Sequence, residues 1–105
     1  MLDLISKLMR MNAETQNLDN ELVNSEVNYI SSTLELMRDA QQISNDAYLD
    51  SGSIQGGLSV ISSLLEQGIS DSEIDLLLNT LFERAKILDL KYPKLNKLVE
   101  SYRNN

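Results

Sequence analysis

At 105 residues and a formal charge of −7, the chain can bury one sizeable core without a disulfide or metal staple, and residues 1–105 read as a single helical domain. It holds no histidine and no cysteine, which excludes thiol chemistry, a Ser–His–carboxylate relay and the ordinary zinc or non-haem iron sites. Nineteen leucines against four valines and one phenylalanine, with one proline and four glycines, predict an all-α, up-and-down bundle of four or five helices.

Residues 1–11 place Leu2, Ile5, Leu8 and Met9 on one helical face and Lys7 and Arg10 on another, as a first helix packed on a core would. Three turns with two cations make a weak membrane anchor. Residues 12–18 are polar and hold no Gly or Pro, so they read as a loop or as a solvated bridge into the next helix, capped by Asp19 or Asn17.

Residues 19–47 read as the longest helix. Leu22, Val23, Val27, Ile30, Leu34 and Met37 form a stripe that runs on through Ala40, Ile43 and Ala47. Val23, Val27, Ile30, Leu34 and Met37 also fit a heptad, and so offer a homodimer seam as an alternative to a core stripe. Residues 48–57, YLDSGSIQGG, hold three of the four glycines and read as a loop, with Ser53 as a cap for the next helix.

Leu58, Ile61, Leu64 and Leu65 then share a face over 58–67, and Gly68 suits a left-handed helix end. Ser70 suits an N-cap with Glu73 completing a capping box, and Ile69 and Ile74 supply a hydrophobic staple. Ile74, Leu77, Leu78, Leu81, Phe82, Ala85 and Leu88 recur at helical spacing after it. Helices 58–67 and 70–90 are therefore predicted to form a tight hairpin. Tyr92-Pro93 ends the second of them, and Leu95, Leu98, Val99 and Tyr102 form a short last helix.

The N-terminus shows no basic leader followed by an unbroken apolar run, so no signal peptide is expected. Apolar runs such as Leu76-Leu77-Leu78 are far too short to cross a bilayer, and the expected location is the cytoplasm. Charge is uneven: residues 1–50 carry a net −6 and residues 51–105 a net −1, with Arg84, Lys86, Lys91, Lys94, Lys97 and Arg103 gathered near the C-terminus. An acidic balance disfavours nucleic acid, whose binders need a basic footprint.

The segment LDSGSIQGGLSVISSLLEQGIS resembles the acyl carrier protein family, in which Asp-Ser-Leu opens an acidic helix and the serine carries phosphopantetheine. Here Asp50-Ser51 is followed by Gly52, and the resemblance covers about a fifth of the chain. A calcium loop around Gly52 lacks three ligands, because Ala47, Leu49 and Leu58 occupy the ligand positions. Gly56-Gly57 lacks the Lys-Ser/Thr of a phosphate loop. The carboxylate pairs Glu35/Asp39 and Asp71/Asp75 read as solvated helix faces rather than an acid–base site.

What remains is a non-catalytic interaction protein that works by protein–protein contact: a modulator, adaptor, inhibitor or immunity-type protein with no cofactor or metal. In length and helix count the chain is similar to small helical bacteriocin immunity proteins, a likeness of architecture alone. The candidate contact residues are Glu26, Glu35 and Asp39 on the back of helix 19–47, facing a basic partner, and Lys91, Lys94 and Lys97 at the basic end, facing an acidic partner or an anionic surface. A homodimer is the alternative, and a carrier protein the remote one.

Overall fold

The computed structural model describes residues 1–14 and 18–104. Over these residues the chain forms five helices: α1 Leu2–Glu14, α2 Asn20–Asp39, α3 Asn45–Glu66, α4 Asp71–Lys91 and α5 Leu95–Ser101, followed by a 3₁₀ turn, Tyr102–Asn104. The helical bundle expected from composition is present, and no strand interrupts it among the described residues. α2 packs along α3 and α1 along α4, α3 meets α4 across their hairpin, and α5 closes over α1 and α2. One cluster of buried side chains draws on all five helices.

Three of the helix-end residues read from sequence, Asp19, Ser70 and Gly68, do what their chemistry suits them for. Asp19 is extended (φ −122°, ψ 170°) and its carboxylate accepts from the Leu22 N–H at 2.8 Å, so α1 and α2 are separate helices. Of the 12–18 segment, residues 15–17, including the alternative cap Asn17, lie outside the described residues. Ser70 accepts from the Glu73 N–H at 3.3 Å and opens α4. Gly68 (φ 82°) closes α3: its N–H reaches the Leu65 carbonyl at 3.1 Å while the Ile69 N–H reaches Leu64 at 3.2 Å, the paired bonds of a Schellman ending. In α4, Ile74, Leu78, Leu81, Ala85 and Leu88 are buried, while Leu77 and Phe82 are half-buried at its flanks.

The middle of the chain differs from expectation. The helix predicted over 19–47 ends at Asp39, and the glycine-rich stretch predicted as a loop over 48–57 lies inside α3. The break falls where no Gly or Pro stands: Gln41 takes φ 60°, its N–H bonds the Arg38 carbonyl at 3.0 Å, and the Gln42 N–H bonds Met37 at 2.8 Å. These are the same paired bonds as at Gly68, closed by a residue with a side chain. Ser44, not Ser53, is the cap of α3, accepting from the Ala47 N–H at 3.1 Å. Ser53 sits within the helix and donates to the Asp50 carbonyl at 3.1 Å.

Packing explains why the glycines stay helical. Ala47, Ser51, Ile54, Leu58 and Ile61 continue one buried stripe through them, and burial of each large side chain, worth about 1.5–3 kcal/mol, outweighs a glycine penalty of about 1 kcal/mol. Gly57 serves contact directly, because a Cβ there would overlap the Leu81 side chain of α4. Gly52 and Gly56 face open space.

Two further sequence expectations are corrected by burial. Val23, Ile30, Leu34 and Met37 are buried within the chain and Val27 is half-buried, so the proposed dimer seam is the core itself. Glu26 is not on an acidic back: it is 6% exposed, and it bonds Lys7 of α1 at 2.8 Å and Arg103 of the 3₁₀ turn at 2.6 and 3.2 Å. Arg103 also lies over the Tyr29 ring, 4.1 Å from its centroid, and pairs with Glu100 at 3.1 Å. Burial works against the charge on Glu26, but the Arg103 and Lys7 hydrogen bonds outweigh it and hold the carboxyl below its ordinary range.

A second tie lies at the start of α1. The Met1 ammonium reaches Asp89 of α4 at 3.3 Å and Asn96 of α5 at 2.9 Å. Burial lowers the pKa of this amine, against the opposing pull of Asp89. Every buried side-chain polar atom among the described residues has a partner.

Candidate functional site

The basic end is built by two corners that the chain makes about 50 residues apart. At the first, the left-handed Gln41 ends α2 and sends Gln42, Ile43 and the cap Ser44 across the end of the bundle. At the second, Tyr92 (φ −126°, ψ 81°) leaves the helical region ahead of Pro93, and the Leu95 N–H closes a turn onto the Tyr92 carbonyl at 3.0 Å. Tyr102, just after α5, donates to the Gln42 side-chain carbonyl and so ties the first corner to the end of the chain's last helix.

Between the corners lies an open cavity of about 300 Å³. Ile43, Ala47, Pro93, Leu95 and Leu98 give it an apolar floor, and Gln42, Ser44, Lys91, Tyr92 and Lys94 complete its wall and rim. Lys94, Lys97, Leu98 and Ser101 line a shallow depression that adjoins it along the outer face of α5. Lys91 and Lys94 thus border the cavity and Lys94 and Lys97 the depression beside it, an apolar setting that the sequence did not indicate.

They are not equivalent. Lys91 is committed to Asp50 of α3 at 3.0 Å, and the Tyr92 hydroxyl donates to the same carboxylate at 2.6 Å. The Tyr92 hydrogen bond, then the Lys91 ammonium, hold the Asp50 carboxyl below its ordinary range, and Asp50 in turn raises Lys91. Lys94 and Lys97 are exposed and make no ion pair with another described residue. The rim thus offers two unshared ammonium groups beside one that is already matched.

The Lys91–Asp50 pair is shared with a second open groove, of about 410 Å³, between α3 and α4. Leu49 and Ile87, each 68% exposed, stand on its two sides, with Ser53, Arg84 and Leu88 between. Sequence reasoning gave no weight to Leu49 or Ile87, and their only signal was their place off the core stripes. The predicted acidic set does not assemble: Glu35 and Asp39 are exposed on α2, Asp39 pairs with its neighbour Arg38 at 3.2 Å, and Glu26 is spent internally.

The carrier-type serine is also out of reach. Ser51 is fully buried and donates to the Ala47 carbonyl at 2.7 Å, so its oxygen presents no surface to a modifying enzyme. Among the described residues, no three acids stand close enough to hold a metal ion, and no helix is long and apolar enough to cross a membrane. Comparison with family models, curated proteins and solved structures finds no match to this chain. What the arrangement at the basic end can do is bind: the floor accepts an apolar group, and the rim accepts negative charge beside it.

Proposed function

We propose that this chain is a non-catalytic interaction protein, a small modulator, adaptor or inhibitor that acts by protein–protein contact through its basic end. The observation that supports the reading is the placement of Lys94 and Lys97 beside an apolar cavity while the chain's most buried acid is tied up internally. Exposed cations unmatched within the chain are the groups a partner's carboxylates would find first, because charged rims steer encounter. The test is a double reversal, Lys94→Glu with Lys97→Glu, compared with Glu35→Lys with Asp39→Lys in affinity capture from the native cell. The basic-end variant should lose the captured partners and the α2 variant keep them; the opposite pattern defeats the reading.

A homodimer is the second reading, on a different face from the one the heptad suggested. Leu49 and Val60 of α3 and Leu76 and Ile87 of α4 are 54–68% exposed on outward faces, and a second copy would cover them. Light scattering after size exclusion tests it, since a strict monomer at high micromolar concentration removes it.

A further inference from the structure

We infer that the cavity at the basic end receives a short acidic segment of a partner protein, with one large apolar side chain on the cavity floor and flanking carboxylates on Lys94 and Lys97. This rests on the interaction reading above and names the chemistry of the partner. The cavity, about 300 Å³, has room for one large apolar side chain, and the depression that adjoins it along α5 leaves room for the residues flanking that side chain. Its floor includes Ile43, Pro93 and Leu98, and no carboxylate lines it. Asp50, which bonds the lining residues Lys91 and Tyr92, is already matched by the Lys91 ammonium at 3.0 Å. The two exposed ammonium groups stand one helical turn apart on α5 and its entry, a spacing that carboxylates on either side of an inserted residue can span.

The same charges argue against a flat anionic membrane. At physiological salt an ion is felt over about 8 Å. A segment seated in the cavity stays within that distance of Lys94 and Lys97, whereas a membrane plane would also face a molecule that carries −7 in total. The site is moreover concave, and its apolar atoms are recessed between two corners rather than projecting from a helix face.

The experiment uses a fluorescein-labelled, end-capped peptide, Asp-Glu-Asp-Phe-Asp-Glu-Asp, titrated with the full chain, alongside vesicles of phosphatidylcholine with phosphatidylserine. Saturable peptide binding is expected, with methyl resonances of Ile43 and Leu98 shifting while that of Leu76 stays still. Exchanging the peptide's Phe for Ala should weaken binding at least about tenfold, in line with the transfer energy of a large side chain. Lys94→Glu with Lys97→Glu should weaken it by a similar factor while the helical circular dichroism is unchanged. No saturable binding, equal affinity for the Phe and Ala peptides, shifts confined to the α3–α4 groove, or binding to vesicles in place of the peptide would each overturn the inference. If the double reversal still abolishes partner capture in the cell while the peptide fails, the acidic-segment inference falls alone. If the reversal leaves capture intact, the interaction reading falls with it.

Discussion

Glu26 and Lys94 are both charged side chains on helical elements, yet the molecule uses them in opposite ways. Glu26 sits where α1, α2 and the 3₁₀ turn converge, receives Lys7 and Arg103, and holds those three elements in one arrangement. Lys94 stands at the entry to α5 beside apolar atoms and has no acid among the described residues to meet. The contrast shows that a charge becomes available for recognition only after the fold has satisfied its internal pairings. On the reading proposed above, the cations that the fold leaves unpaired, Lys94 and Lys97 among them, are a better guide to a binding surface than the acidic surplus in the sequence.

The sharpest way to break this contrast is to remove the internal acid. Glu26→Ala should cost about 3 kcal/mol, the low end for breaking a buried pair because Lys7 and Arg103 remain near water, as read from urea unfolding midpoints. A loss below about 0.5 kcal/mol would reduce Glu26 to an ordinary surface residue. Glu26→Gln should cost less, about 1.5 kcal/mol, since hydrogen bonds persist without the charge.

Acid sharpens the same point. The folded carboxyl of Glu26 titrates below its unfolded value, because Arg103 and Lys7 outweigh the opposing effect of burial. Its contribution is therefore present above the unfolded pKa and is lost as pH falls through the folded one. Stability of the native chain should decline from the ordinary glutamate range downward, and the decline should be shallower in Glu26→Gln. Equal slopes in the two chains would mean that the clamp carries no net charge energy.

On the other side of the comparison, reversing Lys94 and Lys97 should leave the unfolding midpoint unchanged, because neither lysine is paired with another described residue. Asp50→Asn should likewise leave folding nearly unchanged, since Asp50 and Lys91 pair at the surface, where such ion pairs contribute little. It should release Lys91 and strengthen binding of the acidic peptide. A weaker complex would show that Asp50 orders the rim rather than competing for it.

How much of this was readable in the sequence depends on how local each signal is. Ser70, Gly68, Asp19 and the Tyr92-Pro93 step act on backbone groups within four residues, and each was legible. The three glycines of α3 misled because local propensity was overridden by a buried stripe whose partners lie on α2 and α4. Glu26 was legible as an acid, but not as a clamp, since its partners stand 19 and 77 residues away. At the candidate site the lysine spacing was visible in the sequence. The cavity was not, because Ile43 and Leu98 meet only once both corners have formed.

The left-handed Gln41 carries one more consequence. The corners after α2 and α3 are closed by matching hydrogen bonds, but one turns on glycine and the other on a side chain for which that backbone region costs about 1–2 kcal/mol. Spontaneous opening should therefore favour the corner at Gln41, and deuterium should reach the amide of Gln42 sooner than that of Ile69. The wall that would meet an incoming partner is then also the readier of the two corners to open.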